Sequence, residues 1–176
     1  MASGPSGAYG RPITFETQED RVAQDEGTIR PEADADLASA HPPDRFVEVR
    51  SWALASVTDL SRVRRELLAE VTAPHAGPQQ RLGRVPENMV LVASELATNA
   101  LEHGLPPTTL TLFADGQDYL LDVGDTDLST VPILAGERPM GAGGFGLLIA
   151  RRLSQEVGWY TDHATKHVWA TFPAQG

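Results

Sequence analysis

Cysteine is absent from the 176-residue chain, which excludes disulfides, thiolate-ligated zinc and a thiol nucleophile together. Lysine is almost absent: of 14 basic residues only Lys166 is lysine, and the rest are arginine. Basic charge is also outweighed, 14 against 24 acidic residues, for a formal net charge of −10. That sign removes the attraction to phosphate backbones that supplies most non-specific nucleic-acid affinity, so direct nucleic-acid binding is not expected. No apolar run approaches the roughly 20 residues of a membrane-spanning helix, and no segment reads as a signal peptide. The expected setting is cytoplasmic, without membrane association.

What is present suffices for one domain. The chain is 41% hydrophobic, and its length leaves room for a single core plus a tail. Residues 1–45 hold five prolines, four glycines and nine acidic side chains, with large apolar residues scattered and aperiodic. Burial in such a stretch cannot offset its ordering entropy, so it reads as a disordered acidic tail, and the folded domain as residues 46–176.

Phe46, Val47 and Val49 through Trp52 read as a first strand. Ser56 and Asp59 match a capping box ahead of a helix whose apolar stripe is Leu60, Val63, Leu67 and Val71. A second helix is expected from Pro86 to His103, with Gly104 as its stop. Leu110 and Leu112 mark a strand, Asp115 and Gly116 a hairpin turn, and Tyr119, Leu121, Val123 and Asp125 one face of the next strand. Residues 126–143, rich in proline and glycine, read as a lid. Leu147, Ile149, Ala150, Leu153 and Val157 suggest a third helix, and residues 159–161 and 166–172 a closing hairpin. The sum predicts an α+β fold, a two-layer sandwich whose mixed, mostly antiparallel sheet carries its helices on one face.

Chemistry concentrates on the second helix. Val90, Leu91, Val92, Ala93, Leu96, Ala97, Ala100 and Leu101 surround nearly its whole circumference, so it should be largely buried. Glu95 and Asn99, four residues apart, share one side of it. An enclosed charge needs a partner, often a metal or ligand. Taken alone, the pair also fits a wetted helix edge. At residues 141–150, GAGGFGLLIA leads from glycines into a helix, where free N–H groups and the helix dipole attract an anionic oxygen.

The segment ELATNALEHG, residues 95–104, resembles the N-box of the GHKL superfamily of ATPases and kinases, in its bacterial anti-sigma factor and serine kinase branch. Every fixed letter of E-L-x-T-N-A-x-x-H is met, His103 included. The resemblance runs from about residue 46 to 173 and implies a Bergerat-type ATP-binding fold with ATP and Mg2+ as ligands. It implies Asn99 as the magnesium ligand, Glu95 as general base and Asp125 as the acceptor for the adenine amino group. Gly141, Gly143, Gly144, Phe145, Gly146 and Leu147 become the second glycine box over the phosphates. Two departures stand out. Asp127 and Ser129 occupy the places of two glycines, which leaves the backbone less free to approach the base. His167 stands where a small residue or threonine usually precedes Val-Trp.

The same glycines also match G-x-G-x-x-G, but a Rossmann site should follow directly on a strand, and Pro132 and Pro139 break the approach. Partner motifs of eukaryotic-type kinases and of P-loops are missing. His163 and His167 lack a third ligand for a metal site. His75, flanked by Pro74 and Pro78, does not suit a histidine-kinase phosphoacceptor helix. The implied activity is phosphorylation of a serine or threonine of a STAS-type anti-anti-sigma protein, with sequestration of a sigma factor and a homodimer as the common assembly. A non-catalytic ATP-dependent protein-binding switch is the rival reading, and simple ATP hydrolysis stays open.

Overall fold

Alternating apolar residues on four strands place one continuous row of side chains under the helices. In the computed structural model, which describes residues 37–73, 84–132 and 145–174 together with Met1, five strands form one sheet. They are β1 (Val47–Leu54), β2 (Thr108–Ala114), β3 (Asp118–Asp125), β4 (Glu156–Thr161) and β5 (Lys166–Pro173), in the order β1-β2-β3-β5-β4. Every neighbouring pair is antiparallel. Helices α1 (Leu60–Thr72), α2 (Val85–His103) and α3 (Phe145–Leu153) cover one face. This is the α+β sandwich that the periodicities predict.

Register explains the core. Trp52 lies opposite Leu110, Leu110 opposite Val123, and Val123 opposite Val168; one step along, Leu112 faces Leu121 and Leu121 faces Ala170. Because strand side chains alternate, this row stays on the helix side throughout. Leu60, Val63, Leu67 and Val71 of α1 are all buried against it, as their spacing requires. Fully burying one such leucine contributes about 1.5–3 kcal/mol. Asp59 accepts hydrogen bonds from the amides of Ala55 and Ser56, fixing the turn into α1. The Trp52 indole donates to Glu66 Oε2 at 3.0 Å, and Glu66 in turn pairs with Arg50 at 2.6 Å, tying β1 to α1.

Three expectations shift. Val157 belongs to β4, because α3 ends at Leu153 and Ser154 caps it through Ala150 O. Helix α2 is less enclosed than its composition suggests: Leu91 is 43% exposed, and Glu87, Glu102 and His103 face solvent. Gly104 ends α2 with φ −91°, so left-handed backbone is not why glycine stands there.

The domain also begins earlier than Phe46. Leu37 is buried, Ser39 makes a parallel bridge to Trp159 at the β4 edge, and Trp159 Nε1 donates to Leu37 O at 2.9 Å. Trp169 Nε1, on the sheet face away from the helices, donates to Ala40 O at 2.7 Å. Further along, Arg45 pairs with Asp115 and Asp118 at the β2–β3 turn. Residues 37–46 thus run as a strap across the sheet's second face, from the β4 edge to the start of β1. The rest of the stretch assigned to a tail lies outside the described residues.

Candidate functional site

Helix α2 sets out its polar residues at four-residue intervals, so Glu95, Asn99 and His103 follow one another along one stripe. Glu95 and Asn99 are half-buried and His103 is exposed. Two glycines bring other elements close, one to this stripe and one to the end of the helix.

The first is Gly146, near the start of α3. A Cβ there would lie 2.8 Å from Asn99 Nδ2, 3.1 Å from Glu95 Cβ and 3.3 Å from Glu95 Oε2. Glycine is therefore needed for α3 to begin beside the carboxamide and carboxylate. The first turn of a helix has N–H groups without helical acceptors, and the helix dipole is positive there. Phe145 is exposed at this terminus, whereas the Leu147 side chain is buried in the core, leaving its backbone amide as the group at the helix start. Gly141, Gly143 and Gly144, like the middle of the expected lid, lie outside the described residues.

The second is Gly104. A Cβ there would lie 2.5 Å from Ala100 O and 2.7 Å from Asp125 Oδ1. Close approach, rather than an unusual turn, is what this position demands. It holds the end of β3 against the end of α2, and Thr126 N donates to Leu105 O at 2.9 Å to complete the join. Asn99 stands five residues before Gly104, about 7–8 Å along the helix axis at 1.5 Å per residue.

Asp125 is only 4% exposed. Its Oδ1 accepts from Asp127 N at 2.8 Å and lies 3.4 Å from Lys166 Nζ. Lys166, opposite Asp125 in the last β3–β5 rung, is 7% exposed. Its ammonium also donates to Thr130 Oγ1 at 3.1 Å and lies 3.8 Å from Asp127 Oδ2. Asp127 Oδ1 accepts from Ser129 N at 3.0 Å and Ser129 Oγ at 2.6 Å, and Oδ2 from Thr130 Oγ1. The Ser129 and Thr130 side chains, then the Ser129 amide and the Lys166 charge, hold the Asp127 carboxyl down at about 2. Where the family pattern has two glycines, this chain builds a turn tied down by its own side chains.

Sequence reasoning noted Lys166 as the lone lysine without giving it a role. Its signal was positional: the closing hairpin places it across from Asp125. His167 points to the other face, 2.7 Å from Asp122 Oδ1 and stacked on Tyr160 with ring centroids 4.5 Å apart. It therefore lies on the sheet face opposite Asp125.

Among the described residues no group of three His, Cys, Asp or Glu side chains could hold a metal ion by itself. A magnesium here would rest on Asn99 and on oxygens brought by a substrate, which is how this ion is usually held beside phosphates. No helix of the described residues is long and apolar enough to cross a membrane.

No protein-family model matches the chain, and no curated protein matches it. Among solved structures, the crystal structure of the RsbU and RsbW domains of a Mycobacterium tuberculosis protein is similar at 20% identity and a TM-score of 0.45. The match covers 70% of this chain and 32% of that one, so it spans about a third of the other chain's length.

Proposed function

We propose that this domain binds ATP with magnesium along α2 and acts as an anti-sigma-type regulator, phosphorylating a serine or threonine of a STAS-type anti-anti-sigma protein. The observation that carries the reading is the pair of glycine contacts, Gly146 against Asn99 and Glu95, and Gly104 against Asp125. They set parts of three separate sequence motifs against α2, which supports the reading.

In this reading Asp125 accepts the adenine amino group through Oδ2, since Oδ1 is engaged. The start of α3 receives phosphate oxygens on its free amides, and Asn99 supplies a neutral oxygen to the metal. Magnesium, when bound, neutralises charge on the transferred phosphoryl group. Glu95, beside that terminus, takes the proton of the acceptor hydroxyl. Sequestration of a sigma factor belongs to the same proposal.

The tied turn at Asp127 favours a second reading, a non-catalytic switch in which ATP orders a protein-binding surface. Two measurements decide. ATP titration by calorimetry of the wild type, Asn99→Ala and Asp125→Asn should show magnesium-dependent binding lost in both variants, while Glu95→Gln still binds. Labelled ATP offered with candidate STAS proteins should give transfer in the wild type and none in Glu95→Gln. Equal affinity in all four proteins would remove the site; binding without transfer would leave the switch.

A further inference from the structure

The buried carboxylates Asp125 and Asp127 face one ammonium, and that ammonium is the chain's single lysine. Lys166 has three N–H donors and three oxygen neighbours: Thr130 Oγ1 at 3.1 Å, Asp125 Oδ1 at 3.4 Å and Asp127 Oδ2 at 3.8 Å. One hydrogen bond and two ion pairs thus turn the ammonium toward these protein oxygens. We infer that Lys166 is a positioning residue for base selection: it holds Asp125 and the 126–130 turn so that the one carboxylate oxygen left over accepts from a 6-amino purine and rejects a 6-oxo purine. The inference rests on the nucleotide reading above and adds to it the residue that sets the choice of base.

Electrostatics and geometry both assign Lys166 this place. Two carboxylates this enclosed repel each other and lose hydration, and an uncompensated buried charge is costly. Lys166 offsets both at once and fixes their separation. Asp127 N donates to Asp125 Oδ1, so the turn and the base-reading carboxylate move as one body. With Oδ1 taken from one side by an amide and from the other by an ammonium, Asp125 presents an acceptor only. An exocyclic amino group satisfies it, whereas a keto oxygen in the same place would set acceptor against acceptor.

This arrangement also accounts for the missing glycines. A glycine turn gains its close approach to the base from backbone freedom, at the cost of ordering that freedom on binding. Here Asp127, Ser129 and Thr130 order the turn beforehand, and Lys166 supplies the charge that lets Asp127 be buried there.

The test uses the full chain in three versions, wild type, Lys166→Met and Lys166→Arg, with a double variant Lys166→Met/Asp127→Gly. ATP and GTP affinities are measured by calorimetry with magnesium, and exchange of the Asp127 and Ser129 amides is followed by NMR without nucleotide. The expected result is ATP affinity at least tenfold weaker in Lys166→Met with GTP affinity little changed, so the ATP to GTP preference collapses. The two amides should exchange at least tenfold faster. Lys166→Arg keeps the preference, and the double variant recovers part of the ATP affinity because one uncompensated carboxylate is gone. A general loss of structure would weaken both nucleotides alike and would not be recovered by a second substitution, and that outcome overturns the assignment. So does an unchanged preference with unchanged exchange. If the wild type binds neither nucleotide, the nucleotide function and the base selection fail together, while the exchange data still decide whether Lys166 holds the turn.

Discussion

The indole of Trp169 lies across Gly158 on the neighbouring strand, so closely that a Cβ on Gly158 would come within 2.6 Å of Cζ2. Glycine in a strand interior often marks such an approach. Held flat in this way, the ring aims its N–H at Ala40 O and fastens the strap. Trp169→Phe keeps most of the apolar contact but leaves that carbonyl without its partner. A loss of about 1–3 kcal/mol is expected in urea unfolding. Unchanged stability would mean that the strap is merely draped over the sheet.

The two site glycines should respond differently to alanine. At Gly104 the added methyl meets Ala100 O, a backbone atom, as well as the Asp125 carboxyl. Overpacking of this kind costs about 1–3 kcal/mol. At Gly146 it meets Asn99 Nδ2 and Glu95 Oε2, side-chain ends that can swing away, and Glu95 Cβ at 3.1 Å, which asks only for a small shift. Gly146→Ala should therefore melt near the wild-type temperature yet lose ATP binding, whereas Gly104→Ala should lose both. Equal melting temperatures for the pair, measured by circular dichroism, would contradict this distinction.

His167 gives stability a dependence on alkaline pH. Burial disfavours its charged form, but the hydrogen bond to Asp122 and the charges of Asp122 and Asp162 outweigh burial, and its pKa rises above the ordinary 6.5. A raised folded value means that the stabilisation is fully present below the unfolded pKa and is lost as pH rises through the folded one. The stability difference between wild type and His167→Asn should thus shrink as pH rises above the ordinary 6.5. A difference that stays flat as pH rises past 6.5 would show that folding does not raise the imidazole's pKa.

Asp127 acts at the opposite end of the scale. Its carboxyl, held down at about 2 by the Ser129 and Thr130 side chains, lies below the ordinary 3.8. The stabilisation it brings is present above that ordinary value and disappears as pH falls toward 2. Acid titration followed by tryptophan fluorescence should find Asp127→Asn less sensitive than the wild type in this window. Identical acid midpoints would detach Asp127 from the turn's stability.

What could be read from residues alone had a local or periodic cause. The stripe of α1, the turn at Gly116 with its φ of +89°, and the Glu95 and Asn99 pair all follow from short-range spacing. Asp125 was legible because its alternation with Tyr119, Leu121 and Val123 fixes its face. The strap escaped because the indoles that hold it lie more than a hundred residues away and donate to its backbone carbonyls, which leave no pattern in the strap's side-chain types. Lys166 escaped for a related reason: one cation opposite one acid across a rung becomes visible only once the register of β3 and β5 is known. Gly104 was foreseen as a helix stop, yet its reason is close approach, to Ala100 O of the helix and to the Asp125 carboxyl, and not left-handed backbone.

β1 forms one margin of the sheet, pairing with β2 alone among the described residues, and its ladder slips between Glu48 and Arg50. Bulged, charged margins resist templated growth, because an incoming chain would lose registry after a few rungs. Val47 and Val49 can therefore stay uncovered there without inviting the end-to-end stacking that leads to fibres.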